Sequence, residues 1–396
     1  MRSIVFWREV PLDVNLGAFE AFSKLFDGTI IVVSKRKLQS ERQKVGFEDC
    51  QNKNVKTISL GTDDKSAYKV ATRIIDDRID AIHIFNGIKG FNKKILDYLI
   101  KRCKCLDEKP KIGFIGERPL YGVVRCSANS FVNRIKLNIK KRCCKISYRY
   151  LSLKYGKYIS VMFVMGQIGE KKYREYGFNP SVIFPYMYCP KLCMTGKRNY
   201  NVHTPLKFLY IGRFNFSTKG LDILMSTIDE LSQQEGKDRY LLDLVGGYGD
   251  KSEEVKRWAD KYENVKFIGA WEVSEVCNKM IDYDVCLVPS RFDGWNLTPN
   301  EAIYSGVSTI ISSEAGSDEL IRESGSGIVV DFNIKHEFVK ILKQVIYNPN
   351  IVVQWKNNTE GYREKISPDI VGKYFLNVIE YVFYGAGERP ICPWRL

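Results

Sequence analysis

The chain has 396 residues, 44% of them hydrophobic and 27% charged, enough for two or three globular domains and unlike a disordered or low-complexity protein. No apolar run reaches the ~18–20 residues that span a bilayer, and the start MRSIVFWREVPLD lacks the long apolar core of a signal peptide. The net charge of +15 is unevenly spread: residues 1–198 carry 39 Lys/Arg and 18 Asp/Glu, residues 199–396 carry 22 and 28.

In chain order, apolar β-branched runs predict strands at 3–10, 29–34, 55–60, 81–85, 111–115, 159–165 and 181–184. Helical spacing separates several of them, at 18–26, 67–76 and 93–103. Such alternation argues for βα units on a parallel sheet. The stretch from Tyr186 to Pro205 breaks the pattern with Pro190, Gly196, Asn199 and Pro205, and is read as an interdomain connection. The alternation then restarts. Strands are expected at 207–211, 241–245, 265–268, 285–288, 308–311 and 327–330. Helices are expected at 221–232, 253–262, 274–280, 299–304, 317–323 and 337–347. A last helix is expected at 369–384, with Ile370, Val371, Tyr374, Phe375, Val378 and Val382 as its apolar residues. The expectation is therefore an α/β protein with two successive parallel-sheet domains.

Eleven cysteines with no CxxC pair and three histidines argue against a disulfide framework or a structural zinc site. A reducing cytoplasm fits that usage. From Arg118 to Gly169 there are 11 Lys/Arg and no acid, which suggests that the first half meets an anionic surface, nucleic acid or membrane.

Four features of the second half can carry chemistry. Gly212 and Arg213 close a strand, and Lys219-Gly220 follow at a helix start. Two cations, a close-approach glycine and free helix N–H groups suit a diphosphate; the plain alternative is a βα loop with solvated basic residues. Gly246, Gly247 and Gly249 follow the next strand and by themselves signal only a tight turn. The segment from Val288 to Ala302 runs from a buried strand through a polar loop into a helix with Pro299 in its first turn. It carries Asp293 and Glu301, and carboxylates accept paired bonds from sugar and ribose hydroxyls. Alone, Asp293 could be a turn residue and Glu301 a solvated helix residue, but ligands of α/β sheets bind over the strand ends. Lastly, the small-residue turn from Ala315 to Ser317 could offer backbone N–H groups to an anion.

In this order, GR(x5)KG, GG, PSxxDG(x6)EA and SGxSTIIS resemble the second domain of family 4 glycosyltransferases, of the bacterial surface-polysaccharide type. The resemblance covers about Leu206 to Asp331. It implies the GT-B architecture, with two Rossmann-like domains facing a cleft. An acceptor domain would occupy 1–190 and a nucleotide-sugar domain 206–368, and 369–396 would cross back to the first domain. It implies a retaining transferase that uses a nucleoside-diphosphate sugar and neither metal nor other cofactor.

By the same resemblance, Arg213 and Lys219 would hold the diphosphate, and Glu301 would bind the ribose. Asp293 stands where the family's E-x7-E motif has its first Glu and would face the donor sugar, one methylene short. Gly17, Gly212, Gly246, Gly294, Trp295, Asn296 and Leu297 would complete the donor site. Where the family commonly has a His, Glu117 follows a first-domain strand, with His83 as the second choice. Glycosyl transfer builds an oxocarbenium-like centre while a nucleoside diphosphate leaves, so cations at the phosphates and exclusion of water both serve it.

Residues 125–157 interleave Phe131, Ile135, Ile139, Ile146, Tyr150 and Leu153 with eight Lys/Arg from Arg134 to Lys154. The pattern suits a basic helix on an anionic membrane, where a lipid-linked glycan acceptor would approach; a packed helix with a solvated basic face is the plain alternative. The reading is thus a cytoplasmic protein, peripheral on the inner face of the cytoplasmic membrane, with no nucleic-acid partner. Two other readings stay open: a basic nucleic-acid-binding protein, and a GT-B nucleotide-sugar epimerase or hydrolase.

Overall fold

The computed structural model describes residues 2–9, 15–36, 54–119, 131–233, 237–247, 251–332 and 336–395, with only the backbone for residues 131–134 and 237. The first domain runs β1 (Ser3–Arg8), α1 (Leu16–Leu25), β2 (Thr29–Ser34), β3 (Val55–Ser59), α2 (Asp64–Asp77) and β4 (Ile82–Asn86). It continues through α3 (Gly90–Cys105), β5 (Lys111–Gly116), α4 (Phe131–Tyr155), β6 (Ile159–Met165), α5 (Gln167–Glu175) and β7 (Ile183–Tyr186). Its sheet has the order β3-β2-β1-β4-β5-β6-β7, and every neighbour is parallel. Central strands such as β1 are buried along their whole length, as a parallel sheet covered on both faces requires.

The second domain runs β8 (Leu206–Ile211), α6 (Phe216–Lys219), α7 (Leu221–Ser232), β9 (Tyr240–Val245), α8 (Ser252–Ala259), β10 (Val265–Gly269) and α9 (Val276–Met280). It ends with β11 (Val285–Val288), α10 (Thr298–Ser305), β12 (Ser308–Ser312), α11 (Asp318–Ser324), β13 (Gly327–Val330), α12 (Glu337–Tyr347) and α13 (Asn350–Tyr362). Its parallel sheet is ordered β10-β9-β8-β11-β12-β13. In both sheets the order of strand addition therefore reverses next to the domain's own first strand, β1 or β8. Such a switch point opens a crevice beyond the carboxyl ends of the strands. This is the two-domain Rossmann-like GT-B arrangement expected from the sequence.

The chain crosses between domains twice. The first crossing, 187–205, is fastened at both ends. Asn15 donates to the Tyr186 hydroxyl at 2.5 Å and accepts the Cys189 N–H at 3.1 Å. Buried Asp284 accepts the His203 N–H at 3.2 Å, the Lys207 N–H at 2.8 Å and Lys356 Nζ at 3.2 Å. The second crossing leads into α14 (Pro368–Tyr384), whose N-cap Ser367 accepts the Ile370 N–H at 3.4 Å. This helix lies on α1. Gly372 permits the contact, since a Cβ there would sit 2.7 Å from the Ala18 carbonyl. Phe375 fills the space between Phe22 (4.9 Å, edge-on) and Phe163 (4.3 Å). The tail beyond it buries Trp394, whose indole N–H donates to Glu319 Oε1 at 3.1 Å. Arg395 then reaches Glu170 of the first domain at 2.6 Å and Glu319 of the second at 2.7 Å.

Three local readings shift. The strand expected at 181–184 begins at Ile183, because Asn179 caps a 3-10 turn at Pro180–Val182 by accepting the Ser181 N–H. The helix expected at 274–280 is a 3-10 turn, Val273–Glu275, followed by α9. Helix α13 was not expected at all. Val10, the last residue of the first expected strand, lies outside the described residues, as does Gly249.

Candidate functional site

Loops from the second sheet meet loops of the first over the crevice. Gly212 ends β8 and Gly246 ends β9. A Cβ on Gly246 would stand 2.1 Å from the Gly212 carbonyl, so these strand ends can lie together only without a side chain there. Arg213 follows with an exposed side chain. Asn215 caps α6 by accepting the Thr218 N–H at 3.0 Å. The turn then closes at Gly220, in the left-handed region at φ +63°, where a Cβ would lie 2.0 Å from the Pro289 carbonyl. The helix start expected at Lys219-Gly220 is thus a corner between two helices. That corner presses Lys219 down onto the end of β11.

There Lys219 Nζ meets Asp293 Oδ2 at 2.5 Å. The same carboxylate oxygen accepts Asn296 Nδ2 at 3.1 Å. The Asp293 backbone is pinned to the neighbouring loop: its N–H donates to the Glu314 carbonyl at 3.2 Å, and its carbonyl accepts the Gly316 N–H at 3.1 Å. Gly294 is where the domains touch. A Cβ on it would stand 2.3 Å from Glu117 Oε2, and Glu117 Oε1 accepts the Tyr188 hydroxyl at 2.6 Å. Glu117 and Asp293, 176 positions apart, thus border one point of the cleft.

Glu301 lies in the first turn of α10. Its carboxyl has no hydrogen-bond or ion-pair partner among the described residues, and burial alone pushes it up to about 7. A half-buried carboxylate without donors is a place for hydroxyl groups of a ligand.

Other expected residues sit differently. Trp295 is buried, with its indole N–H donated to Asn300 Oδ1 at 3.0 Å, so it supports the loop from beneath. Asn296 is buried too and accepts the Thr298 N–H at 2.9 Å, while Leu297 is half-buried at the helix cap. The space a Gly17 side chain would need is taken by the Pro190 carbonyl, 2.2 Å from its Cβ position; Gly17 lets α1 pack on the connection. His83 is fully buried. It accepts Trp7 Nε1–H at Nδ1 (3.1 Å), its Nε2 lies 2.9 Å from the Arg78 carbonyl, and burial lowers it to about 4. That neutral ring is a core group of β4, and Glu117 is the first-domain candidate that reaches the cleft.

Tyr188, Asn300, Arg118 and Glu314 also shape this site and were not singled out in the sequence. Asn300 donates to the Tyr188 carbonyl at 3.4 Å and so ties the connection to α10. A separate cavity of about 390 Å³ opens beside Lys207, Asp243, Lys266, Trp271 and Tyr283, and none of the expected site residues lines it.

Residues 197–362 match the family model described as glycosyl transferases group 1. An uncharacterized 41.2 kDa protein in the cps region of Klebsiella pneumoniae is 27% identical over 174 residues, 43% of this chain and 45% of that one. An uncharacterized glycosyltransferase of Methanocaldococcus jannaschii is 23% identical over 161 residues, 40% of each chain. The chain thus matches less than half the length of these curated relatives. Over nearly its whole length it has the fold of Anabaena HepE solved with UDP (TM-score 0.66, 11% identity, covering 96% of this chain and 100% of that one). The same holds for WaaG, a glycosyltransferase involved in lipopolysaccharide biosynthesis (TM-score 0.62, 13% identity, 97% and 100%).

Proposed function

We propose that the chain is a retaining glycosyltransferase that moves a sugar from a nucleoside-diphosphate sugar to a glycan or lipid-linked acceptor in cell-surface polysaccharide synthesis. The observation that carries this reading is the half-buried Glu301, without a partner among the described residues, in the helix that follows the Lys219–Asp293 loop at the switch point of a sheet in a two-domain cleft. A ribose would supply the hydroxyl donors that Glu301 lacks. Arg213 and Lys219 would meet the charge that grows on the diphosphate as the glycosyl bond breaks, so no metal is needed for that task. Glu117 and Asp293 border the place where the sugar would sit. The group 1 match over 197–362 supports the same reading, as do neighbours in fold solved with UDP and with UDP-glucose.

The acceptor side rests on α4. Its exposed apolar residues are Ile135, Ile139, Ile146, Tyr150 and Leu153, of which Leu153 is 80% and Ile146 69% exposed. At 3.6 residues per turn they fall within about 60° of one another, on the side opposite buried Cys144, Leu151 and Tyr155. Lys136, Arg142, Lys145 and Arg149 flank that stripe. An apolar stripe between cations is the chemistry of an interfacial helix on anionic lipid. Among the described residues no helix is long and apolar enough to cross a membrane. Residues 125–130 of the basic stretch lie outside the described residues. On this reading the protein works on the cytoplasmic membrane face. The cps-region relative supports a surface polysaccharide as the product.

The test is a panel of nucleotide sugars scored for thermal stabilisation and for nucleoside diphosphate release with anionic vesicles present. Release coupled to a glycosylated acceptor is expected. Free sugar or an isomerised donor as sole product would make the chain a hydrolase or epimerase instead.

A further inference from the structure

Beside Glu117 stands a residue that neither the family resemblance nor the donor chemistry calls for. Arg118 is only 8% exposed. It belongs to the first domain, yet among the described residues its polar contacts are in the second. Nη2 lies 2.6 Å from Glu314 Oε2, and Nη1 donates to the Glu314 carbonyl at 3.1 Å. The guanidinium carbon stands 4.7 Å from the centre of the Phe292 ring. These partners bracket Asp293. Phe292 precedes it in the chain, and the Glu314 carbonyl that Arg118 holds also accepts the Asp293 N–H at 3.2 Å. On the far side of Gly294, a Cβ on Gly316 would lie 2.0 Å from the Gly294 carbonyl, so the two loops are stacked backbone on backbone.

We infer that Arg118 is a positioning residue: when the domains close, its guanidinium grips Phe292 and Glu314, and that grip sets the Asp293–Gly294 loop against Glu117. The physical case is one of desolvation. A guanidinium this buried is stable only when paired, and opening the cleft would return it to water and release both loops at once. Closure and assembly of the sugar side of the site are then one event. A lysine could pair with Glu314, but it lacks the planar fork that holds carboxylate and carbonyl together while stacking on an aromatic ring. The grip itself is independent of the reaction; its consequence for turnover rests on the glycosyl-transfer reading above.

The experiment uses the full chain and follows amide hydrogen exchange by mass spectrometry in peptides covering 290–298 and 312–320, with UDP present and absent. Arg118→Ala is expected to speed exchange there about tenfold or more while leaving β8 and β9 unchanged. With a donor that turns over, kcat should fall about 10–100-fold, the scale of a misplaced reacting group, and the UDP Kd should stay within about twofold. Arg118→Lys should recover only part of kcat, and the swap Arg118→Glu with Glu314→Arg should restore protection more than either single change. If Arg118→Ala unfolds the protein, Glu314→Gln removes the same ion pair from its exposed side and is read in the same way. Unchanged exchange in a folded Arg118→Ala or Glu314→Gln protein overturns the grip. Faster exchange with unchanged kcat overturns the positioning role. If the wild type binds no UDP and turns over no nucleotide sugar, the transfer reading falls with that role, and the exchange data alone judge the grip.

Discussion

Lys219 Nζ and Asp293 Oδ2 stand 2.5 Å apart, joining two loops that are 74 positions apart in the chain. The side chains are 17% and 15% exposed, so the pair is largely withdrawn from water, where charge attraction is stronger than at a surface. The lysine is therefore held over the end of β11 before any ligand arrives. A pre-placed cation costs no reorganisation when charge develops on a leaving phosphate. Lys219→Ala should lower turnover about 10²-fold or more, and Arg213→Ala by a similar factor, the range for losing one aligned donor. Steady-state kinetics with the true donor decide this. Wild-type kcat in both variants would remove them from the site.

Asp293→Asn should act through Lys219. It keeps the side chain's shape but removes the charge that holds the ammonium, while Asn296 loses a carboxylate acceptor. Turnover should fall, and Asp293→Glu should recover part of it, because the carboxylate returns one methylene longer. If Asn is as active as Asp, the ion pair has no part in catalysis.

Glu301 predicts a pH dependence with a definite sign. Its folded value is raised from 4.5 to about 7, so the folded state holds a proton that the unfolded chain has released. Stability from this group is present below the unfolded value and is lost as pH rises from about 4.5 through about 7. Asp318, raised to about 6, and Glu319, raised to about 7, add in the same direction. Glu301→Gln should flatten part of that decline in urea-unfolding series between pH 4.5 and 7.5. Ligand binding runs the other way. Hydroxyl donors favour the carboxylate, so nucleotide affinity should weaken as pH falls below about 7, and less so in Glu301→Gln. Calorimetric titration with UDP at pH 6 and pH 8, on wild type and variant, checks it. An identical pH slope in both proteins would mean that the ribose does not bind Glu301.

Trp394 is fully buried and joins the tail to the second domain, where its carbonyl accepts the Tyr362 hydroxyl. Its ring meets Tyr374 edge-on at 5.3 Å, and its N–H serves Glu319. Trp394→Ala should destabilise the protein by about 3–5 kcal/mol, as for other large aromatics removed from a core. Trp394→Phe should cost less, about 1–3 kcal/mol for the lost donor to a buried carboxylate. Equilibrium unfolding measures both. Equal midpoints for Trp394→Phe and Trp394→Ala would show that the indole bulk is not what holds the tail.

What could be read in the chain was local. β1, β6 and β11 were legible because strands buried on both faces are nearly unbroken apolar runs. α13, NIVVQWKNNTEGY, was missed because its asparagines, glycine and paired valines favour a helix poorly; burial of Val352 and Trp355 sustains it. Lys219, Asp293 and Glu301 were singled out through spacing on single loops, and the structure brings the first two into contact. Trp295 and Gly17 were assigned to the ligand, and the structure gives each a packing contact, since spacing does not say which face a side chain takes. Arg118 was invisible because Glu314 lies 196 positions away and belongs to another domain. Contacts made only when two domains meet have no local signature.

The stripe on α4 leads to the last prediction. A helix face turned to water normally sheds its large apolar residues, yet Ile146, Tyr150 and Leu153 are all more than half exposed. Self-association would cover them, but it would set Lys136, Arg142, Lys145 and Arg149 against the same cations of a second copy. An anionic bilayer satisfies both the apolar and the charged groups. Replacing those four residues with Gln should weaken binding to phosphatidylglycerol-containing vesicles by about 4 kcal/mol, near 1 kcal/mol per cation at the surface, and remove most of its salt dependence. Ile146→Gln with Leu153→Gln should instead weaken binding while keeping the salt dependence, because it removes apolar area and no charge. UDP affinity should be unchanged in both, since the proposed nucleotide site is in the other domain. Co-sedimentation at low and high salt separates the two contributions. Wild-type protein that stays in the supernatant with anionic vesicles at low salt would leave the stripe without its membrane and point to a soluble acceptor.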